Sequence, residues 1–333
     1  MESLIFAIAV ILTISGILNF VSKKITISSV VLLIVAGLII GIPGIEDIII
    51  GQNSREIEFL GDVALLALMF LAGLESSWRE LYQERKDAFA IAFAATIFPF
   101  LVGFSVFSLL GFKPITAAVM GISMGIAAEA TKARVLIEIK KLKTKVGAAL
   151  MGAGIIDDLL GLSAFLLIAL LLGSFSLKED TLIIGAILSF LVGLLTHKIL
   201  GRDKKAINFI EKTLVWLVIP FFFISLGLNF EISSLALNPY IIILVLILAP
   251  LATITGTMLA KPFTDLRWRQ LYLIGWGMNS RGAIGLALAF VALKEGFITN
   301  QLYSSLVITA LVTTIIFPFV IKKMVKNNPK IMN

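Results

Sequence analysis

The stretch Gly147-Ala-Ala-Leu-Met-Gly152-Ala-Gly154-Ile-Ile-Asp157-Asp158-Leu-Leu-Gly161-Leu162 sets two adjacent carboxylates in the middle of an otherwise apolar run. Ten apolar or small residues precede the pair and a long apolar run follows it, so the pair neither caps a helix nor reaches an interface. An ionisable side chain at membrane depth costs about 2.5–3.5 kcal/mol on insertion, and a chain seldom keeps two together without a use. Neighbouring positions on a helix diverge by about 100°, so one carboxylate can line a cavity while the other meets a different helix. The small residues at 147, 152, 154 and 161 let other helices, or an ion pathway, come close.

Around this stretch the composition excludes a water-soluble globule. Of 333 residues, 59% are apolar and 15% charged, where soluble domains run near 25% charged. A bilayer core takes roughly 20 apolar residues per helix. Apolar runs fall at about 3–21, 25–42, 59–74, 88–110, 114–137, 146–172, 181–197, 213–229, 239–260, 270–293 and 302–321. The expected fold is therefore all-α, a single polytopic membrane domain over 1–333 with about eleven transmembrane helices. Residues 2–21 have no basic leading region, carry Asn19 and lack a small-residue cleavage site, and read as a span rather than a signal peptide. With no cysteine, disulfides, thiolate metal sites and redox thiol chemistry are excluded, and no cofactor is expected. The single histidine, His197, lies beside Lys198 at a span end and reads as a solvated residue. Prolines 99, 220, 250 and 318 read as kinks or helix ends.

Placing the N-terminus outside and the C-terminus in the cytoplasm puts 21 of the 28 Lys and Arg residues inside. Outside lie only Arg55, Lys113, Lys178 and Lys294, while Lys132, Arg134 and Arg281 stay within or at the ends of helices. The positive-inside rule fixes this orientation in a cell membrane. It also accounts for the net charge of +7 through the lipid bilayer, without a nucleic-acid partner.

A repeat accompanies this topology. The third span ends Phe70-Leu-Ala-Gly-Leu-Glu75-Ser-Ser77, and the eighth ends Phe223-Ile-Ser-Leu-Gly227-Leu228 followed by Glu231-Ile-Ser233-Ser234, each with three further spans behind it. In the orientation above the third span runs inward and the eighth outward, so the halves are expected to be inverted copies, a common sign of a transporter.

The tenth span holds Gly275-Trp-Gly-Met-Asn279-Ser280-Arg281-Gly282-Ala-Ile-Gly285. Glycines and a polar triplet break the apolar helix there, which membrane depth tolerates only where the break lines a cavity or is buried in protein. Arg281 stays charged and needs a carboxylate partner, with Asp157 or Asp158 the natural candidate. At the corresponding place in the first half, Ala127-Ala-Glu129-Ala-Thr131-Lys132-Ala-Arg134 carries charge as well. Glu129 and Lys132, spaced i,i+3, suit a local structural pair as well as a functional one. Thr131, Asn279 and Ser280 are candidate polar lining.

At these residues the sequence resembles the monovalent cation:proton antiporter superfamily, in the branch with paired aspartates on the sixth helix. The strings that carry the resemblance are Phe70-Leu-Ala-Gly-Leu-Glu75, Ala133-Arg-Val-Leu136, Ile155-Ile-Asp-Asp-Leu-Leu-Gly161, Pro220-Phe-Phe-Phe-Ile-Ser-Leu-Gly227 and Ser280-Arg-Gly-Ala-Ile-Gly285, in this order over nearly the whole chain. The resemblance implies a homodimer, two crossed broken helices and alternating access. It implies a mobile ion-binding core, 88–172 plus 239–324, and a scaffold or dimerisation part, 1–75 plus 181–230. It also implies that Asp158 binds the ion, that Asp157 is the carboxylate paired to a basic residue, and that Arg281 is that residue, with Lys132 and Glu129 as further compensating charges.

Three features depart from the family pattern. Relatives usually have twelve to fourteen helices, and here a single span, 181–197, separates the sixth helix from the eighth. The fifth-helix break holds Glu129 and Lys132 where relatives are neutral and hydroxyl-rich. Potassium-efflux relatives carry a gating cytoplasmic nucleotide-binding domain, whereas this sequence stops soon after its last span, so ligand gating of that kind is not expected.

The expected activity is secondary antiport, not an enzyme reaction: the carboxylate at 158 holds either a proton or a partly dehydrated monovalent cation, so the two compete for one site. Carboxylate, hydroxyl and carbonyl oxygens suit Na⁺ first, with Li⁺ or K⁺ open. The alternatives are an organic-anion symporter of similar inverted-repeat fold, which does not need adjacent aspartates, and a channel, for which no ring-forming filter is visible. An intramembrane aspartyl protease needs its two aspartates on facing helices.

Overall fold

The computed structural model describes residues 2–25, 27–75, 86–127, 129–171, 181–200, 203–231, 233 and 239–333. Within these, regular structure is helical apart from one isolated β-bridge. The helices are α1 (Glu2–Lys24), α2 (Ser29–Ile40), α3 (Ile45–Ile49), α4 (Ser54–Glu75), α5 (Lys86–Leu109), α6 (Pro114–Gly125), α7 (Glu129–Glu138), α8 (Lys145–Leu171), α9 (Thr181–Leu200), α10 (Lys204–Thr213), α11 (Ile219–Leu228), α12 (Pro239–Leu259), α13 (Trp268–Gly277), α14 (Ala283–Lys294) and α15 (Asn300–Asn327).

Among the described residues six helices are long and apolar enough to cross a membrane: Ser3–Lys24, Gly51–Leu74, Lys86–Leu109, Lys205–Leu228, Pro239–Phe263 and Asn300–Asn327. Shorter apolar helices cover Ser29–Ile40, Pro114–Gly125, Ile184–Leu200 and Ala283–Lys294. Large apolar side chains such as Phe6, Phe59, Leu101 and Phe319 stay exposed, as lipid-facing positions require. Pro99, Pro250 and Pro318 lie inside helices, and Pro220 sits in the first turn of α11. A π-helical turn, Leu214–Val218, precedes it.

The chain forms two compact units, Met1–Ser77 with Phe175–Glu231, and Trp78–Ser174 with Ile232–Asn333. In the first unit, glycines bring helix backbones together. A Cβ on Gly73 of α4 would lie 2.1 Å from the Phe190 carbonyl of α9, and one on Gly193 of α9 would lie 2.1 Å from the Phe70 carbonyl of α4. Only glycine fits at these two points. In lipid, where apolar surface gives helices no reason to associate, such close approach supplies the dispersion contacts that hold them.

His197, expected to be solvated, is instead half-buried in the last turn of α9, its Nδ1 2.7 Å from the Leu74 carbonyl. The last carbonyls of α4 have no partner within their own helix, and the imidazole supplies one. Of the expected repeat, Ser76, Ser77, Ile232 and Ser234 lie outside the described residues, as does the side chain of Glu75.

The second unit has a repeating order: long α5, the interrupted pair α6 and α7, long α8, then long α12, the interrupted pair α13 and α14, long α15. Its core gathers Ile91, Val135, Leu150, Ile156, Ile274 and Phe317. Two glycines admit α8 to this core. A Cβ on Gly161 of α8 would come within 2.7 Å of the Ile126 side chain, and one on Gly277 of α13 within 2.7 Å of Leu150 on α8. The tail from Pro329 closes the base of the unit: Met332 is buried, and the Gln270 amide of α13 donates to the carbonyls of Ile331 (3.1 Å) and Asn333 (2.9 Å).

Candidate ion-binding site

The site is built where two helices stop. α6 ends at Gly125, after which Ile126 turns extended (φ −75°, ψ 128°). α13 ends at Gly277, and the chain resumes helix only after Gly282 (φ −96°, ψ 169°). Local chemistry explains the second break. The Asn279 amide donates to the Gly275 carbonyl at 3.0 Å, and the Ser280 hydroxyl to the Gly277 carbonyl at 3.1 Å. Side chains thus satisfy the carbonyls that a continued helix would have used, which is how Asn and Ser compete with helical backbone. The two interruptions run antiparallel to each other through a bridge between Ala127 and Arg281.

Asp157 reaches this bridge from α8 and is fully buried. Its Oδ2 accepts the Ala127 N–H at 2.6 Å, and its Oδ1 lies 2.5 Å from the Thr96 hydroxyl of α5. Thr96 Oγ1 is also 2.8 Å from the Ala92 carbonyl. The hydroxyl has one hydrogen, so it donates either to an ionised Asp157 or to Ala92 while accepting a proton held by Asp157. The same geometry thus serves both protonation states. Asp158, the next residue on α8, is partly exposed.

Two cations share this interior. The Arg281 guanidinium, expected beside a carboxylate, hydrogen-bonds to other groups. Its Nη1 donates to the Met124 carbonyl, its Nη2 to Thr253 Oγ1 at 3.2 Å, and its backbone N–H to Thr314 Oγ1 at 3.0 Å. The physical reason is that Met124 lies in the last turn of α6, whose carbonyls are orphaned by the break and carry the negative end of the helix dipole. Once the bridge has fixed the Arg281 backbone beside that end, the guanidinium fills it. Attraction to Asp157 persists at longer range.

Lys132 is fully buried on α7, its Nζ 3.5 Å from Met278 Sδ just past the end of α13. Each cation therefore sits at the carboxyl end of the interrupted helix in the other pair. Both positive charges act on the Asp157 carboxylate.

Thr131, Asn279 and Ser280 are buried, and Asn279 Oδ1 has no hydrogen-bond partner among the described residues. The side chain of Glu129 lies outside the described residues. Sequence reasoning missed Thr96, Thr253 and Thr314. A membrane-buried threonine ordinarily bonds the carbonyl one turn back, as Thr253 does with Ala249 at 3.0 Å, and nothing in the sequence marks those with a second duty.

Residues 8–203 and 166–327 match the family of transmembrane sodium/hydrogen exchangers. The Na⁺/H⁺-K⁺ antiporter GerN of Bacillus cereus is 22% identical over 370 aligned residues, which cover 95% of each chain. The Na⁺/H⁺ antiporter of Enterococcus hirae is 24% identical over 375 residues, covering 96% of this chain and 97% of its own. In fold, the solved sodium proton antiporter MjNhaP1 of Methanocaldococcus jannaschii matches with a TM-score of 0.68 at 17% identity, covering 99% of this chain and 100% of that one.

Proposed function

This chain belongs to the sodium/hydrogen exchanger family, and from that premise we propose that it exchanges protons for a monovalent cation by competition at Asp158. The observation that carries the reading is Asp157 held against the bridge between two interrupted helices, with the partly exposed Asp158 next to it on α8. Asp158, partly exposed, is the group that an entering ion meets. Asp157, fully enclosed by Thr96 and the Ala127 N–H, ties that position to the bridge. Asn279 Oδ1, Ser280 and Thr131 offer oxygens to a cation that has shed part of its water.

The two successions of long, interrupted and long helix support inverted repeats with crossed breaks. We take the unit 78–174 plus 232–333 as the mobile ion-binding core, and the unit 1–77 plus 175–231 as the scaffold through which two copies pair. The cation is Na⁺ first. GerN is named for K⁺ as well as Na⁺, which supports including K⁺. With the N-terminus outside, a C-terminal tag is expected to react with impermeant reagents only after cells are opened; labelling in intact cells would reverse the orientation.

The direct test is dye-monitored proton movement in proteoliposomes on adding Na⁺, Li⁺, K⁺ or a divalent ion. Alkalinisation or acidification that tracks a monovalent cation is expected. Movement that instead follows an organic anion together with Na⁺, or that runs as uncoupled conductance, would replace antiport by symport or channel activity.

A further inference from the structure

Arg281 uses three of its donors on Met124, Thr253 and Thr314, and its Nε–H is left without a hydrogen-bond partner among the described residues, although the side chain is 6% exposed. Ser123, in the last turn of α6 and 7% exposed, is in the same condition at its Oγ. Both line one cavity, together with Gly282 and Gly285 at the start of α14 and Thr309 on α15. Two buried polar groups left unmatched in the same small space are unusual, because each pays its desolvation cost unless something answers it.

The cavity leaves about 10 Å³ to the centre of a water-sized sphere, close to the ~10–15 Å³ that one water requires. Its polar partners also suit water in number and kind. Arg281 Nε is a pure donor. The Ser123 hydroxyl both donates and accepts. Thr309 Oγ1 gives its hydrogen to the Ser305 carbonyl at 2.7 Å, so toward the cavity it presents an acceptor. A water there accepts from Arg281, exchanges a hydrogen bond with Ser123 and donates to Thr309, within the two to four partners a buried water takes.

We propose that a single structural water binds between Arg281 Nε, Ser123 Oγ and Thr309 Oγ1, and that Ser123 through this water is a positioning residue for the ion site. The route of its influence is short. The water fixes the remaining edge of the guanidinium, Arg281 forms the bridge to Ala127, and the Ala127 N–H is the donor on Asp157. Ser123 touches neither carboxylate in this scheme; it sets the angle at which Arg281 holds the bridge. The occupancy half of the proposal stands on geometry alone, and the positioning half rests on antiport at Asp158.

The test has two arms. Density from the wild-type protein in lipid nanodiscs, at a resolution that shows ordered water, is expected to contain a peak within hydrogen-bond distance of Arg281 Nε and Ser123 Oγ, equally in sodium chloride and in sodium gluconate. No peak in either salt overturns the water, and a peak confined to chloride assigns the cavity to an anion instead. In proteoliposomes, Ser123→Ala is expected to raise the apparent KM for the cation about fivefold, the effect of one lost hydrogen bond, with an unchanged melting temperature. Ser123→Thr, which keeps the hydroxyl, should retain the wild-type value. An unchanged KM in Ser123→Ala, or a melting temperature that falls in step with it, overturns the positioning role. If the wild type shows no exchange, the antiport reading fails, while the density still decides the water.

Discussion

Asp158→Asn is expected to reduce cation-driven proton movement to the level of protein-free vesicles while the protein still inserts and purifies normally. The amide is the same size as the carboxylate and still offers an oxygen, so coordination is weakened rather than abolished. It cannot take up and release a proton near neutral pH and carries no negative charge to balance a bound cation, so both halves of the competition are lost together. Folding is spared because Asp158 is partly exposed on α8, and a polar side chain there need not find a new buried partner. Asp157→Asn differs. Asp157 is fully buried and accepts from Ala127; a carboxamide keeps that acceptor and can donate to Thr96 Oγ1, whose own hydrogen then goes to Ala92. That variant should keep these hydrogen bonds and lose thermal stability through the negative charge removed beside buried Lys132 and Arg281. Wild-type exchange by Asp158→Asn would transfer the carrier role to Asp157 and remove the basis of the proposed mechanism.

What the sequence made legible was whatever stood out against an apolar background. The carboxylates at 157 and 158, Arg281 and Lys132 are visible because charge at membrane depth is costly, and the break at 278–282 because Asn279, Ser280 and Gly282 are poor companions in an apolar helix. What the charges touch was not legible. Arg281 binds a carbonyl and a threonine, and a carbonyl belongs to every residue, so Met124 carries no mark of its role. Thr96 was hidden because its bond to Ala92 is the ordinary behaviour of any helical threonine, and only the fold brings α5 against Asp157. His197 misled for the same reason: its partner is the Leu74 carbonyl, 123 positions away in sequence.

Arg281→Leu is expected to abolish exchange and to destabilise the protein, on the order of 3–5 kcal/mol for the loss of one member of a buried charged network. Leucine conserves bulk but returns the Met124 carbonyl, at the end of α6, to an unmatched state and deprives Thr253 of its donor. It also removes one of two positive charges acting on Asp157. Arg281→Lys separates these effects. The ammonium restores the charge but, as a single point donor on a flexible stem, cannot span the carbonyl and the hydroxyl as the planar guanidinium does. It should recover part of the stability and little of the exchange, because the angle at which the bridge meets Ala127 remains unset.

Lys132→Gln tests the opposite component. Its Nζ lies 3.5 Å from the Met278 thioether and its charge acts on Asp157, so the glutamine variant, which keeps much of the bulk and loses the charge, should lose exchange while leaving the bridge formed. The informative readout is the pair of melting temperature and exchange rate for each variant. If Arg281→Leu melts and exchanges like the wild type, the guanidinium does not hold the two breaks together, and Lys132 carries the charge compensation of the carboxylates without it.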